Sequence, residues 1–220
     1  MPLTDNNDSE VHSIVPSVCG ALRTDFRKNA AWIQSRSGRY APQPHDLVIA
    51  IVHHSSTEHY YCQLTPFSPL ALLPHLSFEG VNRKTRPYLE PGDLLYARVG
   101  LALPYADVEL ECVSKGTGKA DGLGELKAGY IVGVDKDLAR RLGLSEKKQK
   151  EDGVVLLEEI VKRGIVFEIA VGANGKVWID AGGRVGDTME ICRGIVEMDM
   201  KNLEEHAQRK LVKSMQFGQD

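Results

Sequence analysis

The segment Phe167–Ala181, FEIAVGANGKVWIDA, decides how the rest of the chain is read. Two apolar stretches, Ile165–Val171 and Val177–Ile179, flank Gly172-Ala173-Asn174-Gly175. Asn-Gly adopts the positive φ angles of a tight turn without strain, so the segment predicts two antiparallel strands joined by a Gly-rich turn. A two-residue loop sets Val171 opposite Trp178, and a four-residue loop sets Ile169 there. Side chains alternate along a strand, so either register leaves Trp178 on one face with Phe167, Ile169 and Val171. That face needs a cover, and helical stripes on both sides of the hairpin can supply it.

After the hairpin, Asp187 with Glu190 reads as a capping box for a helix along Met189–Met200, with Ile191, Cys192 and Ile195 inward. Asn202 with Glu205 reads as a second box, opening a helix with an apolar stripe at Leu203, Ala207, Leu211 and Met215. Before the hairpin, Tyr130–Val134 reads as a strand. Asp135 follows as the cap of a helix with Leu138 and Leu142 inward and Gly143 just past its end. Ser145–Asp152 (SEKKQKED) reads as a charged loop. Val154–Val161 is apolar at both strand and helix spacings, with helix favoured. This is an α+β unit with helices over one sheet face.

Further upstream the pattern is short strands. Asp46–His53, His59–Thr65, Leu70–Pro74, Asp93–Leu103 and Asp107–Val113 are five of them, with a short helical turn at Leu76–Gly80 after the third. That order fits a small Greek-key barrel of the OB type, while a flat meander has the same order. Lys115–Gly124 is glycine-rich and reads as a connector. In the first forty residues, Ala31–Ser35 and Arg39–Ala41 flank Ser37-Gly38, a candidate hairpin turn. So small a unit is expected to pack on a neighbour or a partner.

The 220 residues are 42% hydrophobic and 26% charged, with a formal net charge of −3. A chain that grips nucleic acid alone is usually basic, so any RNA contact here is expected to be local or shared with partners. Cys19, Cys62, Cys112 and Cys192 have no Cys-x-x-Cys spacing. They are expected to be reduced and packed as small apolar groups in an intracellular protein. No apolar run approaches the ~20 residues of a membrane span. No Walker, nucleophile-elbow or Rossmann pattern is present. His53, His54 and His59 lack a ligand-like partner set, and no carboxylate cluster suits two-metal nuclease chemistry, so no metal, cofactor or catalytic site is expected.

Barrel order followed by an α+β unit carrying Gly-x-Asn-Gly is more specific than either alone. From about Trp32 onward the chain resembles the cap subunits of the RNA exosome, which join an N-terminal β domain, an S1 domain and a KH domain. The resemblance rests on Arg39-Tyr40, Pro42, Asp46-Leu47-Val48 and LSFEG at Leu76–Gly80 followed by the Arg/Lys loop. It rests also on Pro91-Gly92-Asp93-Leu94, and on Gly172–Gly175 with Val177-Trp178-Ile179. It implies a mainly β plus α+β fold: a small N-terminal β domain over residues 1–43, an S1-type OB barrel over 44–114 and a KH-like domain over 115–220. It also implies a non-catalytic role on a ring of RNase PH-like subunits beside other cap subunits. Single-stranded RNA would be led toward associated exonucleases in the nucleus, nucleolus and cytoplasm, with no DNA or membrane partner.

In RNA-clamping KH domains a Gly-x-x-Gly loop lies between helices. Here Gly172, Asn174 and Gly175 lie between strands, so a structural role against the barrel is expected, with Trp178 covered in that packing. The basic loop Arg83, Lys84 and Arg86, extended by Lys115 and Lys119, is the candidate for RNA phosphates or an acidic ring face. Tyr60 and Tyr61 are candidates for base stacking; being adjacent on a strand, only one of them faces outward. His59 and His75 are weaker candidates of the same kind.

Overall fold

A computed structural model describes residues 20–26, 29–34, 38–82, 84–114 and 116–218. The chain divides into two compact units, residues 1–36 and 37–220. In the first, β1 (Ala21–Asp25) pairs antiparallel with β2 (Ala30–Gln34), Leu22 opposite Ile33. Asp25 pairs with Ala30, so β1 and β2 form a hairpin of their own; Ser35 and Ser37 of the expected turn at Ser37-Gly38 lie outside the described residues, and Arg39–Ala41 is not a strand. Leu22 (70% exposed) and Ile33 (51%) stay open to solvent.

The second unit opens with a barrel. β3 (Leu47–Ser55) pairs with β4 (His59–Gln63), and β4 with β5 (Ala71–Pro74). β5 runs parallel to β7 (Glu109–Glu111), which pairs with β6 (Leu94–Leu101), and β6 returns to β3. That last pairing closes the barrel and removes its sheet edges, deciding against a flat meander. Val48, Ala50, Val52, Cys62, Leu73, Leu95, Ala97, Val99 and Leu110 alternate inward and form the core. The segment Leu76–Gly80 forms turns and no helix. A sixth strand, β8 (Gly124–Leu126), pairs with the far end of β6.

The C-terminal part is a three-stranded sheet in the order β10-β11-β9, formed by β9 (Tyr130–Gly133), β10 (Glu168–Gly172) and β11 (Lys176–Asp180). Its helices are α1 (Lys136–Leu142), α2 (Glu146–Glu151), α3 (Leu156–Lys162), α4 (Val185–Lys201) and α5 (Glu205–Ser214). The charged run after Ser145 is thus the short helix α2; none of its residues is fully buried and none is apolar, so it has no apolar stripe to betray it. Helix α4 starts earlier than the capping-box reading, which places Asp187 inside its first turn, bonded to the Gly218 amide and paired with Arg184. Asn202 ends α4 with φ 46°, and Glu204 is the cap of α5.

The hairpin register differs from both expectations. Gly172 pairs with Lys176, leaving a three-residue loop, and Ala170 lies opposite Trp178. An odd loop reverses the face parity. Val177 and Ile179, with the partly buried Phe167, Ile169 and Val171, face the helices. Trp178 and Ala170 face the other way, against Ile49 of β3. The cover for Trp178 is therefore the barrel and not the helical stripes.

Candidate nucleic-acid interface

The Gly172–Gly175 turn is built into the barrel wall. The Ala173 amide donates to Leu47 O at 2.8 Å. Asn174, itself buried, accepts from the Ile49 amide at 3.3 Å and donates through Nδ2 to Ile49 O and Leu64 O, each at 2.9 Å. A Cβ on Gly172 would sit 2.8 Å from the Ile49 nitrogen and 2.3 Å from Asn174 Oδ1, so only glycine allows this approach. Trp178 is 4% exposed and donates its indole N–H to Ala128 O at 2.9 Å. With the Ala173 amide and the Asn174 side chain engaged by the barrel and the Gly175 amide closing the turn on Gly172 O, this turn is not available to cradle a phosphate.

Three exposed basic residues of the barrel part, Lys84, Arg86 and Lys119, lie on the segments at one end of the barrel. The pairings Ser55 with Tyr60 and His59 with Pro74 put the β3–β4 turn and the start of the β5–β6 loop side by side. The connector after β7 joins them: Cys112 N–H donates to Ser77 O at 3.1 Å, and Ala120 N–H to Glu79 Oε2 at 2.7 Å. Lys119 is thereby carried to the loop bearing Lys84 and Arg86, and all three are exposed. Asn82 Oδ1 accepts the Lys84 and Thr85 amides, at 2.9 and 3.1 Å, and folds the loop into a fixed turn. Arg83 and Lys115 lie outside the described residues.

Tyr60 is 2% exposed and belongs to the core; its hydroxyl donates to Pro87 O at 2.6 Å and ties the loop down. It offers no face to a base. Tyr61 is the outward member of the pair, its ring stacked on exposed His54 at 4.3 Å between centroids. Tyr88 carried no sequence signal, and His75, expected as a weaker stacking candidate, is 4% exposed and offers no face to a base. Tyr88 is exposed two residues beyond Arg86. His75 is buried against Tyr60 and contacts Arg86 through Nδ1. A cleft of about 530 Å³ runs between Glu58, His59, Leu76 and Arg86.

Among the described residues no group of three His, Cys, Asp or Glu is placed to hold a metal ion. Burial pushes the thiols of Cys62 and Cys112 up to about 12 and that of Cys192 to about 11, so these buried, unpaired cysteines are poor nucleophiles.

Comparison with known proteins meets this geometry at both domains. Residues 40–124 match the family model described as exosome complex component RRP40, S1 domain, and residues 129–183 match a KH-domain model. The chain is 39% identical over 193 residues to exosome complex component rrp40 of Schizosaccharomyces pombe, covering 87% of this chain and 76% of that protein. The chain belongs to the RRP40 family of exosome components. Exosome complex component RRP40 of Saccharomyces cerevisiae is 31% identical over 199 residues, covering 89% of this chain and 80% of that one. The human RRP40 is 32% identical, over 74% of this chain and 58% of its own length. A crystal structure of a protein provisionally assigned as an exosome RNA-binding protein superposes with a TM-score of 0.60 at 18% identity, covering 80% of this chain and 94% of that one, and shares the fold. The S1 and KH domains of the RRP40 family thus coincide with the closed barrel and the three-stranded α+β unit.

Proposed function

We propose that this RRP40-family chain is a non-catalytic cap subunit that stabilises the RNase PH-like ring of the exosome and helps lead single-stranded RNA 3′ ends into its channel, for rRNA processing and RNA decay. The observation that carries this reading is the division of labour between two Gly- and Lys/Arg-rich loops. The Gly-x-Asn-Gly turn is consumed in fixing the KH domain to the barrel, and Lys84, Arg86 and Lys119 stand exposed together at the barrel end. Phosphates are met by exposed Lys and Arg, and a chain of net charge −3 has little affinity to spare elsewhere. Solvent-facing Leu22 and Ile33 on the β1–β2 hairpin supply an apolar strip of the kind that a neighbouring subunit covers. We place the protein in the nucleus, nucleolus and cytoplasm with that assembly, where imaging of a tagged chain would locate it.

The test is a pull-down from RNase-treated extract at moderate salt. Recovery of RNase PH-like proteins and associated exonucleases in fixed proportion is expected. Recovery of none, together with tight RNA binding by the isolated chain, would replace this reading with a free-standing S1/KH module acting in translation or transcription.

A further inference from the structure

We infer that His75 is a positioning residue for the RNA contact: as a neutral imidazole it holds the Arg86 guanidinium at the barrel mouth, and taking up a proton releases it, so acid weakens RNA binding. The inference rests on Arg86 touching RNA, as proposed above.

The geometry fixes the tautomer. An arginine has donors only, so the Nδ1 of His75 that meets Arg86 Nη1 must carry no proton. The proton then sits on Nε2, which lies 3.3 Å from Ser55 Oγ. That hydroxyl donates to Ser56 O, leaving its lone pairs for the imidazole N–H. The ring is 4% exposed and packs on Tyr60 at 4.2 Å. Tyr60 in turn ties the next residue of the loop, Pro87. Arg86 is therefore held from a rigid wall while the rest of its guanidinium faces solvent.

A second proton on His75 removes the acceptor that its Nδ1 offers to Arg86 and puts two cations in contact. The groups facing the ring are Arg86 from the β5–β6 loop, His59 and Tyr60 from β4, and Ser55 from β3, with Glu58 lining the same cleft. Burial first, and then the charge of Arg86, lower the pKa of His75 below its ordinary value. The neutral form consequently dominates at pH 7 and is lost on acidification. Ordinary surface histidines act oppositely, since gaining positive charge tightens RNA binding.

The experiment is fluorescence anisotropy of the full chain with a labelled single-stranded RNA, from pH 7.5 to 5.5 at constant ionic strength. Wild type is expected to lose affinity on acidification, by roughly 3- to 10-fold, the scale of one charge-assisted phosphate contact. Arg86→Ala should bind about 10-fold more weakly at pH 7.5 and show no further acid loss. His75→Asn places an amide oxygen near the Nδ1 position; it should bind at pH 7.5 as wild type does and lose the acid dependence. His75→Phe, checked for folding by circular dichroism, has no acceptor and should bind like Arg86→Ala at every pH. Wild-type affinity that rises on acidification, or a His75→Asn variant that keeps the acid loss, overturns the inference.

Imidazole ¹⁵N spectra separate this from the underlying reading. If Arg86→Ala binds RNA normally, Arg86 is not the contact. A bare Nδ1 in wild type that changes in Arg86→Ala then still establishes the hold, and an Nδ1–H tautomer disposes of it.

Discussion

Replacing Asn174 by alanine strips three hydrogen bonds from the joint between barrel and KH domain and leaves the Ile49 amide and two carbonyls buried without partners. Each orphaned buried group costs about 1–3 kcal/mol, so a loss of about 3 kcal/mol is expected in urea unfolding. Gly172→Ala drives a methyl into the same Ile49 backbone and should cost about 2 kcal/mol, whereas Gly116→Ala, which meets open space, should be silent in the same assay. Trp178→Ala, by emptying the pocket against Ile49, should cost about 3–5 kcal/mol, and a loss under about 1 kcal/mol would refute that burial. His75 adds a pH term. Its folded pKa is lowered, so the unfolded chain takes up the proton first; the stability it contributes is present above about pH 6.5 and falls as the solution is acidified. Melts of wild type and His75→Asn at pH 7.5 and 5.5 should differ in slope accordingly. Sequence shows that Gly-x-Asn-Gly makes a turn, since positive φ is a local property. It does not show that the Asn174 side chain is a backbone surrogate for β3, because those acceptors lie over a hundred residues away.

At the scale of elements, the unusual support is Gln208. Buried in α5, it accepts the Val155 and Leu156 amides at the start of α3 and donates to Gly153 O and Leu203 O. Helix α3 lacks a side-chain cap of its own, so a residue fifty positions later satisfies its first amides. Gln208→Ala should destabilise the chain by about 2–3 kcal/mol and accelerate amide hydrogen exchange at Val155 and Leu156 before that of the barrel strands. Elements with a strong periodic stripe, such as β3, β6, α4 and α5, were legible in sequence. Helix α2 was not, because it buries no apolar side chain and is tied to the end of α1 by the Gln149 amide, which donates to Leu142 O and Leu144 O, and β8 was not, because three residues carry no period. The hairpin shows how little separates right from wrong: both its strands were legible, but a loop of three residues instead of two or four exchanged the partners of its two faces.

For the whole molecule, β3 is the shared wall. Val48, Ala50 and Val52 line the barrel interior, and Ile49 on the opposite face is sealed by Trp178 and Ala170. Barrel and KH domain should therefore unfold in a single transition, and calorimetry of residues 37–220 should show one peak rather than two. The RNA-facing end is small by comparison. Changing Lys84, Arg86 and Lys119 together to alanine should flatten the salt dependence of RNA binding by about 2–3 in log–log slope. Barrel, connector and hairpin are also separated in time when the chain is made. By the point at which β8 has left the ribosome, every barrel strand is available to pair, yet Ala170 and Trp178 have not been added. Until they are, a barrel closed on the nascent chain lacks the Ala170 and Trp178 part of the cover over the outer side of Ile49. A chain ending between Leu126 and Phe167 would keep that gap for good, an exposed apolar spot that distinguishes an unfinished subunit from a finished one.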